Sequence, residues 1–257
     1  MKTTLKRLLG AGLLILITPL LTAASLQYKL KPEKIADNTY VFVGAMEDFT
    51  KENGGNIVNT AFIVTDDGIV VFDTGPSRRY GEAMLRSIRT VSDKPILHIF
   101  NSHHHPDHFL GNQSFPEGTL WSLPETGIMM AQSGDAFAEN MYRLTGDWMR
   151  GTEVRLPDKP LESMQMSVGG HKLKFVSLHG HTNADLAMFD ETTGVLFASD
   201  IVFFQRALTT PHTPGLDTWL KDLKTLRAMP YKTLVPGHGP VVHDHRAIDQ
   251  TIAYLEW

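Results

Sequence analysis

The 257-residue chain contains no cysteine. That absence removes disulfides, thiolate nucleophiles and sulfur metal ligands together. Any metal ion must sit on nitrogen and oxygen, and any exported form must be held by a full-sized core. Positive charge is also scarce: 24 Lys+Arg against 28 Asp+Glu give a formal net charge of −4. Phosphate backbones need a basic face, so nucleic acid is not expected as a partner. No G-x-S-x-G elbow occurs, and a serine-nucleophile α/β-hydrolase reading has no support. Linkers, low-complexity runs and internal repeats are missing from about residue 26 onward, which predicts one domain over 25–257.

Long apolar runs are rare, and the longest stands at the start. MKTTLKRLLGAGLLILITPLLTAASL places Lys2, Lys6 and Arg7 before an apolar run from Leu8 to Leu21. Pro19 interrupts that run shortly before the small residues Thr22, Ala23 and Ala24. The run is roughly 14 residues, short of the roughly 20 that span a bilayer. A cleaved signal peptide over 1–24 is therefore expected rather than a single membrane anchor. With no cysteine behind it, a lipid-modified anchor is not expected either. Removal of 1–24 takes away three positive charges and moves the net charge from −4 to −7. The expected product is periplasmic or secreted, without a stable membrane anchor.

The rest of the chain reads as strands and helices in a repeated order. TYVFVGA (39–45) is short and β-branched or aromatic, and NTAFIVTDDGIVVFDTG (59–75) reads as a hairpin turning at Asp66-Asp67-Gly68. A helix is expected after Pro76 with Tyr80, Met84, Ile88 and Val91 on one face. PILHIFN (95–101) reads as a strand. A helical stretch around 125–148 carries Phe137, Met141, Leu144 and Trp148. Hairpins are expected at 163–178 and 185–199, then an amphipathic helix with Leu216, Trp219, Leu220, Leu223 and Leu226. A strand, KTLVPG (232–237), and a helix with Ile248, Ile252 and Leu255 close the chain. Strands then helices, twice over, predict two sheets packed face to face with helices outside, and strand ends gathered along one edge.

Against this ordinary background stands NSHHHPDHFLGN (101–112), with four histidines and an aspartate within six positions. His103 and His105 lie two apart on an extended segment and can converge on one ion. Asp107 and His108 follow where Pro106 turns the chain, and can face a second ion beside it. Neutral imidazoles and a carboxylate suit zinc. His104, between two candidate ligands, is expected to point away. One loop cannot close two metal sites, and other strand ends offer His181 in LHGHTNAD, Asp200 in GVLFASD and His238 in LVPGHGP. Glycine lies before His181 and on both sides of His238, where close backbone approach is expected. His179 is a rival to His181. His98, His171, His212, His243 and His245 read as packed, turn or loop residues.

The hairpin ending in FDTG, then HHHPDH, GHT, ASD and PGHG in that order, resembles the metallo-β-lactamase superfamily over about residues 35–245. The resemblance implies an α/β fold, the four-layer αβ/βα sandwich of the metallo-β-lactamase type. It implies a first zinc on His103, His105 and His181, and a second on Asp107, His108 and His238. Asp200 would bridge the two, with Asp73 supporting a ligand from behind. A bridging aspartate and no cysteine are closer to glyoxalase-II-like thioesterases and lactonases than to the commonest zinc β-lactamases. Flavodiiron proteins carry a glutamate where His105 stands, which argues against that branch. ENGGNIVNTAFIVTDDGIVVFDTGPSRRYGEAM (52–84) and FFQRALTTPH (203–212) are similar to zinc metallohydrolases associated with exported quinoprotein oxidation systems.

The expected activity is cleavage of an ester, thioester, lactone or β-lactam in a small-molecule substrate by a hydroxide bridging two Zn²⁺, with Asp107 as the catalytic group that orients it and takes its proton. The alternatives are a persulfide dioxygenase with one Fe²⁺, or a non-catalytic metal-binding accessory of a quinoprotein system. The segment 44–59 is a surface loop or a flap over the metals, with Met46 and Phe49 as its apolar contacts. Arg206 is a surface charge or a contact for an anionic substrate.

Overall fold

The structure, a computed structural model, describes residues 26–257. The expected signal peptide at 1–24 lies outside the described residues. Among them, no helix is long and apolar enough to cross a membrane.

Two sheets form the centre. The first is built in chain order from β1 (Glu33–Ala36), β2 (Thr39–Phe42), β3 (Thr60–Val64), β4 (Ile69–Phe72), β5 (Ile96–Phe100), β6 (Thr119–Ser122) and β7 (Lys159–Pro160). The second runs in the order β12 (Thr233–His238), β11 (Val195–Phe203), β10 (Asp185–Asp190), β9 (His171–Leu178), β8 (Gln165–Val168). The expected hairpins at Asp66–Gly68, at Gly169-Gly170 and near Gly194 are all present as antiparallel pairs. Where the chain crosses over a helix, the pairing is parallel: β4 with β5 through α1 (Arg78–Arg89), and β11 with β12 through α4 (Leu216–Arg227). Parallel neighbours end on the same side, which brings the C-terminal ends of these four strands together.

The strand sequences show why there are four layers. A strand covered on both faces has no polar side, so it reads as an unbroken apolar run. In β4, Val70 and Phe72 face the second sheet while Ile69 and Val71 face α1. In β11, Val195 and Phe197 face the first sheet while Leu196 and Ala198 meet α4 and α5 (Arg246–Glu256). Rings seal the sheet-to-sheet core, with Phe72–Phe197 and Phe100–Phe175 centroids 5.6 and 4.6 Å apart. Outside, Tyr80, Met84 and Ile88 of α1 cover the first sheet, and Trp219, Leu223 and Leu226 of α4 cover the second. This is the four-layer αβ/βα sandwich that the sequence leads one to expect.

Local chemistry sets the helix limits. Ser77 caps α1, its hydroxyl accepting from the Tyr80 N–H at 3.2 Å. The long α3 (Pro124–Thr145) starts with proline in its first turn and ends at Gly146, whose φ of 65° a left-handed residue supplies. Several expectations need correction. Leu144 and Leu216 are exposed, and Val91 lies past the end of α1. Trp148 is buried in a 3₁₀ turn at Gly146–Met149 instead of continuing the helix. Asp200 does not end its strand: β11 continues to Phe203 across an irregular register at Ser199. His238 is the last residue of β12 rather than a residue beyond it. Strands β1, β6 and β7 were not expected, because they are too short or too exposed to carry an apolar alternation.

Candidate metal centre

The loops that follow β5 and β9, the last residue of β12 and Asp200 within β11 bring all seven sequence candidates into one buried cluster. His103, His105, His181 and Asp200 form one group of side chains able to hold an ion, and Asp107, His108 and His238 form another. His181 rather than His179 joins them. His179 is exposed, with its Nδ1 against the Asn183 carbonyl at 2.7 Å.

Asp200 stands between the groups, one oxygen toward each. Its Oδ2 lies 3.3 Å from His181 Nε2 and 3.9 Å from His103 Nε2. Its Oδ1 lies 3.2 Å from His108 Nε2 and 3.3 Å from His238 Nε2. Asp107 Oδ2 is 3.3 Å from His238 Nε2 and 3.7 Å from His108 Nε2. Yet His103 Nε2, His108 Nε2 and Asp200 Oδ1 are buried with no hydrogen-bond partner among the described residues. Polar atoms this close without hydrogen-bond geometry are spaced as ligands of a common ion are. Tetrahedral ligands about 2.0–2.1 Å from zinc stand about 3.3 Å from one another. Orphaned buried atoms are costly unless something fills them, and an ion would. The donor set therefore fits divalent metal.

The nitrogen facing away from the centre is tied down in four of the five histidines. His108 Nδ1 donates to Asp73 Oδ2 at 2.8 Å, and His238 Nδ1 to the Ile57 carbonyl at 2.8 Å. His103 Nδ1 lies 3.0 Å from Ser102 Oγ. His105 turns its Nδ1 to His181 Nε2 at 2.9 Å and its Nε2 to His212 Nδ1 at 2.7 Å. Of the five outer nitrogens, His181 Nδ1 is the one buried without a partner among the described residues. Such outer bonds select the tautomer whose lone pair faces the metal.

Ser102 is a hub. Its hydroxyl donates to Asp73 Oδ2 at 2.7 Å and receives Ser199 Oγ at 2.7 Å, while its N–H donates to Asp73 Oδ1 at 2.8 Å. Asp73 and Ser199 hold left-handed backbone, with φ of 58° and 47°. Strained conformations of this kind persist where surrounding bonds over-determine them, as they do here. Glycine is required at 237, where a Cβ would lie 1.9 Å from Asp200 Oδ1. Asp185 shapes the loop of His181, accepting from the N–H of His181 and of Thr182 at 3.0 and 2.8 Å.

The electrostatics divide the cluster. Burial, reinforced by neighbouring imidazoles, pushes His103 and His105 well below the ordinary histidine value and His181 to about 3, the neutral form that binds metal. Burial would lower His108 too, but Asp200, Asp107 and Asp73 hold it well above that value. Asp200 is kept well below the carboxylate range despite its burial, chiefly by His238 and His108. One half is thus three neutral imidazoles, and the other is rich in carboxylate.

A cavity of about 310 Å³ opens over the cluster, lined by Asp107, Asp200, His105 and His238, by Phe49, Ile57 and Phe137, and by Arg206 and His212. Phe49 reaches it from the segment 44–59, but Met46 is exposed and does not. That segment is also pinned: Asn59 Nδ2 donates to the Pro236 and Gly239 carbonyls, and Trp148 Nε1 to the Lys51 carbonyl. Arg206 is half-buried, its Nη1 3.2 Å from His238 Nδ1. His104 and His212 also depart from expectation, standing with His105 as a third imidazole group around Phe137. No local signal marks His212, because its contact is made by a loop folding back over 107 residues.

The comparisons agree with the geometry. A family model described as the metallo-beta-lactamase superfamily matches residues 53–238. A linear primary-alkylsulfatase of a Pseudomonas species is 22% identical over 229 residues, 74% of this chain and 43% of the relative. A hydroxyacylglutathione hydrolase of Rhodospirillum rubrum is 26% identical over 140 residues, 54% of this chain and 46% of the relative. The chain spans about half the length of these relatives. A solved metallo-beta-lactamase from Pontibacter korlensis superposes with a TM-score of 0.69 at 20% identity, covering 89% of this chain and 99% of that one. Family model, fold and the order of strand-end side chains converge, and the chain belongs to the metallo-β-lactamase superfamily.

Proposed function

We propose that this protein is an exported dinuclear zinc hydrolase that cleaves an ester, thioester, lactone or β-lactam bearing an anionic group. The observation that carries this reading is Asp200, with one oxygen toward His181 and His103 and the other toward His108 and His238. His103, His105 and His181 would hold one ion, Asp107, His108 and His238 the other, and Asp200 both. Bound zinc would supply a water ionised near neutral pH and polarise a carbonyl.

The chain's own residues supply the rest. Asp107 lines both the cluster and the cavity, so its carboxylate can orient a water and receive its proton at Oδ. Phe49, Ile57 and Phe137 give an apolar wall that excludes bulk water from the reacting edge. Arg206 places a fixed positive charge in the same cavity, suited to a carboxylate or sulfate on the substrate. The alkylsulfatase and hydroxyacylglutathione hydrolase named above are both hydrolases of anionic molecules, which supports this class. Export rests on the basic-then-apolar start of the chain. A quinoprotein partner rests on the resemblance at 52–84 and 203–212, the second of which lines the cavity.

The test is metal content by mass spectrometry on protein purified without added metal, followed by a panel of anionic thioesters, sulfate esters, lactones and β-lactams. About two zinc per chain with turnover of one class is the expected result. One iron per chain with oxygen consumption on a persulfide would overturn it.

A further inference from the structure

We infer that His212 is a positioning residue for His105, reaching it from the loop at the mouth of the cavity; this rests on reading the cluster as a metal centre. For His105 to present a lone pair from Nδ1, where it meets His181 Nε2 at 2.9 Å, its proton must sit on Nε2. His212 Nδ1 lies 2.7 Å from that Nε2 and accepts the proton, so the outer bond selects the binding tautomer of His105. His108, His238 and His103 have their outer nitrogens on Asp73, the Ile57 carbonyl and Ser102, all buried parts of the sandwich. His105 alone relies on an exposed side chain.

The loop that carries His212 is built to reach there. It leaves β11 through Gln205, at a φ of 57°, and is stapled where Thr213 Oγ1 donates to the Gly180 carbonyl at 2.5 Å. Gly180 precedes His181, so one loop grips His105 by its ring and the His181 segment by its backbone. Phe137 covers the pair, its ring centroid 6.1 Å from His105 and 6.0 Å from His212. Arg206, Thr209 and Pro211 of the same loop line the cavity. Contact between substrate and this loop is therefore felt at a metal ligand.

The experiment compares His212→Ala and His212→Gln with wild type by zinc competition against a chromophoric chelator and by the visible spectrum of the cobalt-substituted protein. In His212→Ala one ion should bind about 10–100-fold more weakly while the other keeps its affinity, and the cobalt bands should shift. His212→Gln, whose amide oxygen can accept the same proton, should recover most of the affinity. His212 is exposed, so the metal-free thermal midpoint should be unchanged and separates this effect from misfolding. Wild-type affinity and spectrum in both variants would overturn the inference. A fall from three ions to two in His212→Ala would overturn it as well, making His212 a ligand of its own ion. A wild-type protein that binds no metal would remove the metal-centre reading itself, a distinct result from loss of one partner.

Discussion

Replacing Asp73 by asparagine tests how the second group of ligands is oriented. The side chains have nearly the same shape, and the amide oxygen can still accept the Ser102 N–H now bound by Oδ1 at 2.8 Å. The amide nitrogen must then take the place of Oδ2, facing Ser102 Oγ at 2.7 Å and His108 Nδ1 at 2.8 Å. Two donors cannot share that contact, so His108 moves its proton to Nε2. That atom lies 3.2 Å from Asp200 Oδ1 and faces the centre, and a protonated nitrogen offers no lone pair. Loss of such outer partners weakens metal affinity about 10–100-fold, or about 1.4–2.8 kcal/mol. Stability of the metal-free protein should change less. The lost charge-assisted bond costs about 1.5–3 kcal/mol, but the variant no longer buries a carboxyl whose pKa desolvation already raises. Zinc competition resolved into two steps should show one weakened step and one unchanged. Equal weakening of both, or of neither, would refute the reasoning.

Other perturbations probe different links. Gly237→Ala would drive a methyl group into Asp200 Oδ1, so metal content should fall even where the chain folds; wild-type stoichiometry would argue against that close approach. Arg206→Ala should raise KM for anionic substrates at least tenfold while leaving uncharged analogues near wild type, and a parallel change in both would assign Arg206 a structural role. Away from the centre, hydrogen bonds from His171, Thr193 and Thr192 overcome burial and hold Asp190 below the usual carboxylate range. A depressed carboxylate contributes stability above its unfolded value of about 3.9 and loses it as pH falls through the folded value. Asp190→Asn should therefore lower the urea midpoint at pH 7, with the gap to wild type closing below about pH 4. A gap independent of pH would refute the assignment.

Candidate ligands that stand close together in the chain, or beside glycine at a strand end, are the ones whose meeting in one cluster could be read from the sequence. His103, His105, Asp107 and His108 occupy one turn, and His181 and His238 announce themselves by flanking glycines that close packing requires. The two covered sheets were legible because β4 and β11 have no polar face. What escaped was whatever depends on a loop's path. His212 reaches the centre only because the segment 205–215 folds back over it, and nothing in its immediate neighbours encodes that return, while for Arg206 the sequence leaves a surface charge and a substrate contact both open. Asp185 and Ser102 carry no sequence signal, because a polar residue near a candidate ligand looks the same in sequence whether its hydrogen bonds point inward or out. The edge strands β1 and β7 carry too little apolar surface to leave a pattern.

The parallel pairs β4–β5 and β11–β12 belong to opposite sheets, and the cluster takes ligands from the ends of both. His103, His105, Asp107 and His108 come from one half of the sandwich, and His181, Asp200 and His238 from the other. Any ion held there would be a cross-brace between halves that also meet through the apolar core and through hydrogen bonds such as Ser199 Oγ to Ser102 Oγ. Its binding free energy adds to the docking of one sheet on the other by mass action. Chelation should then do more than silence a reaction. It should loosen the seam, so that amide hydrogen exchange quickens at Phe72, Phe100, Phe175 and Phe197, which lie in the core between the sheets.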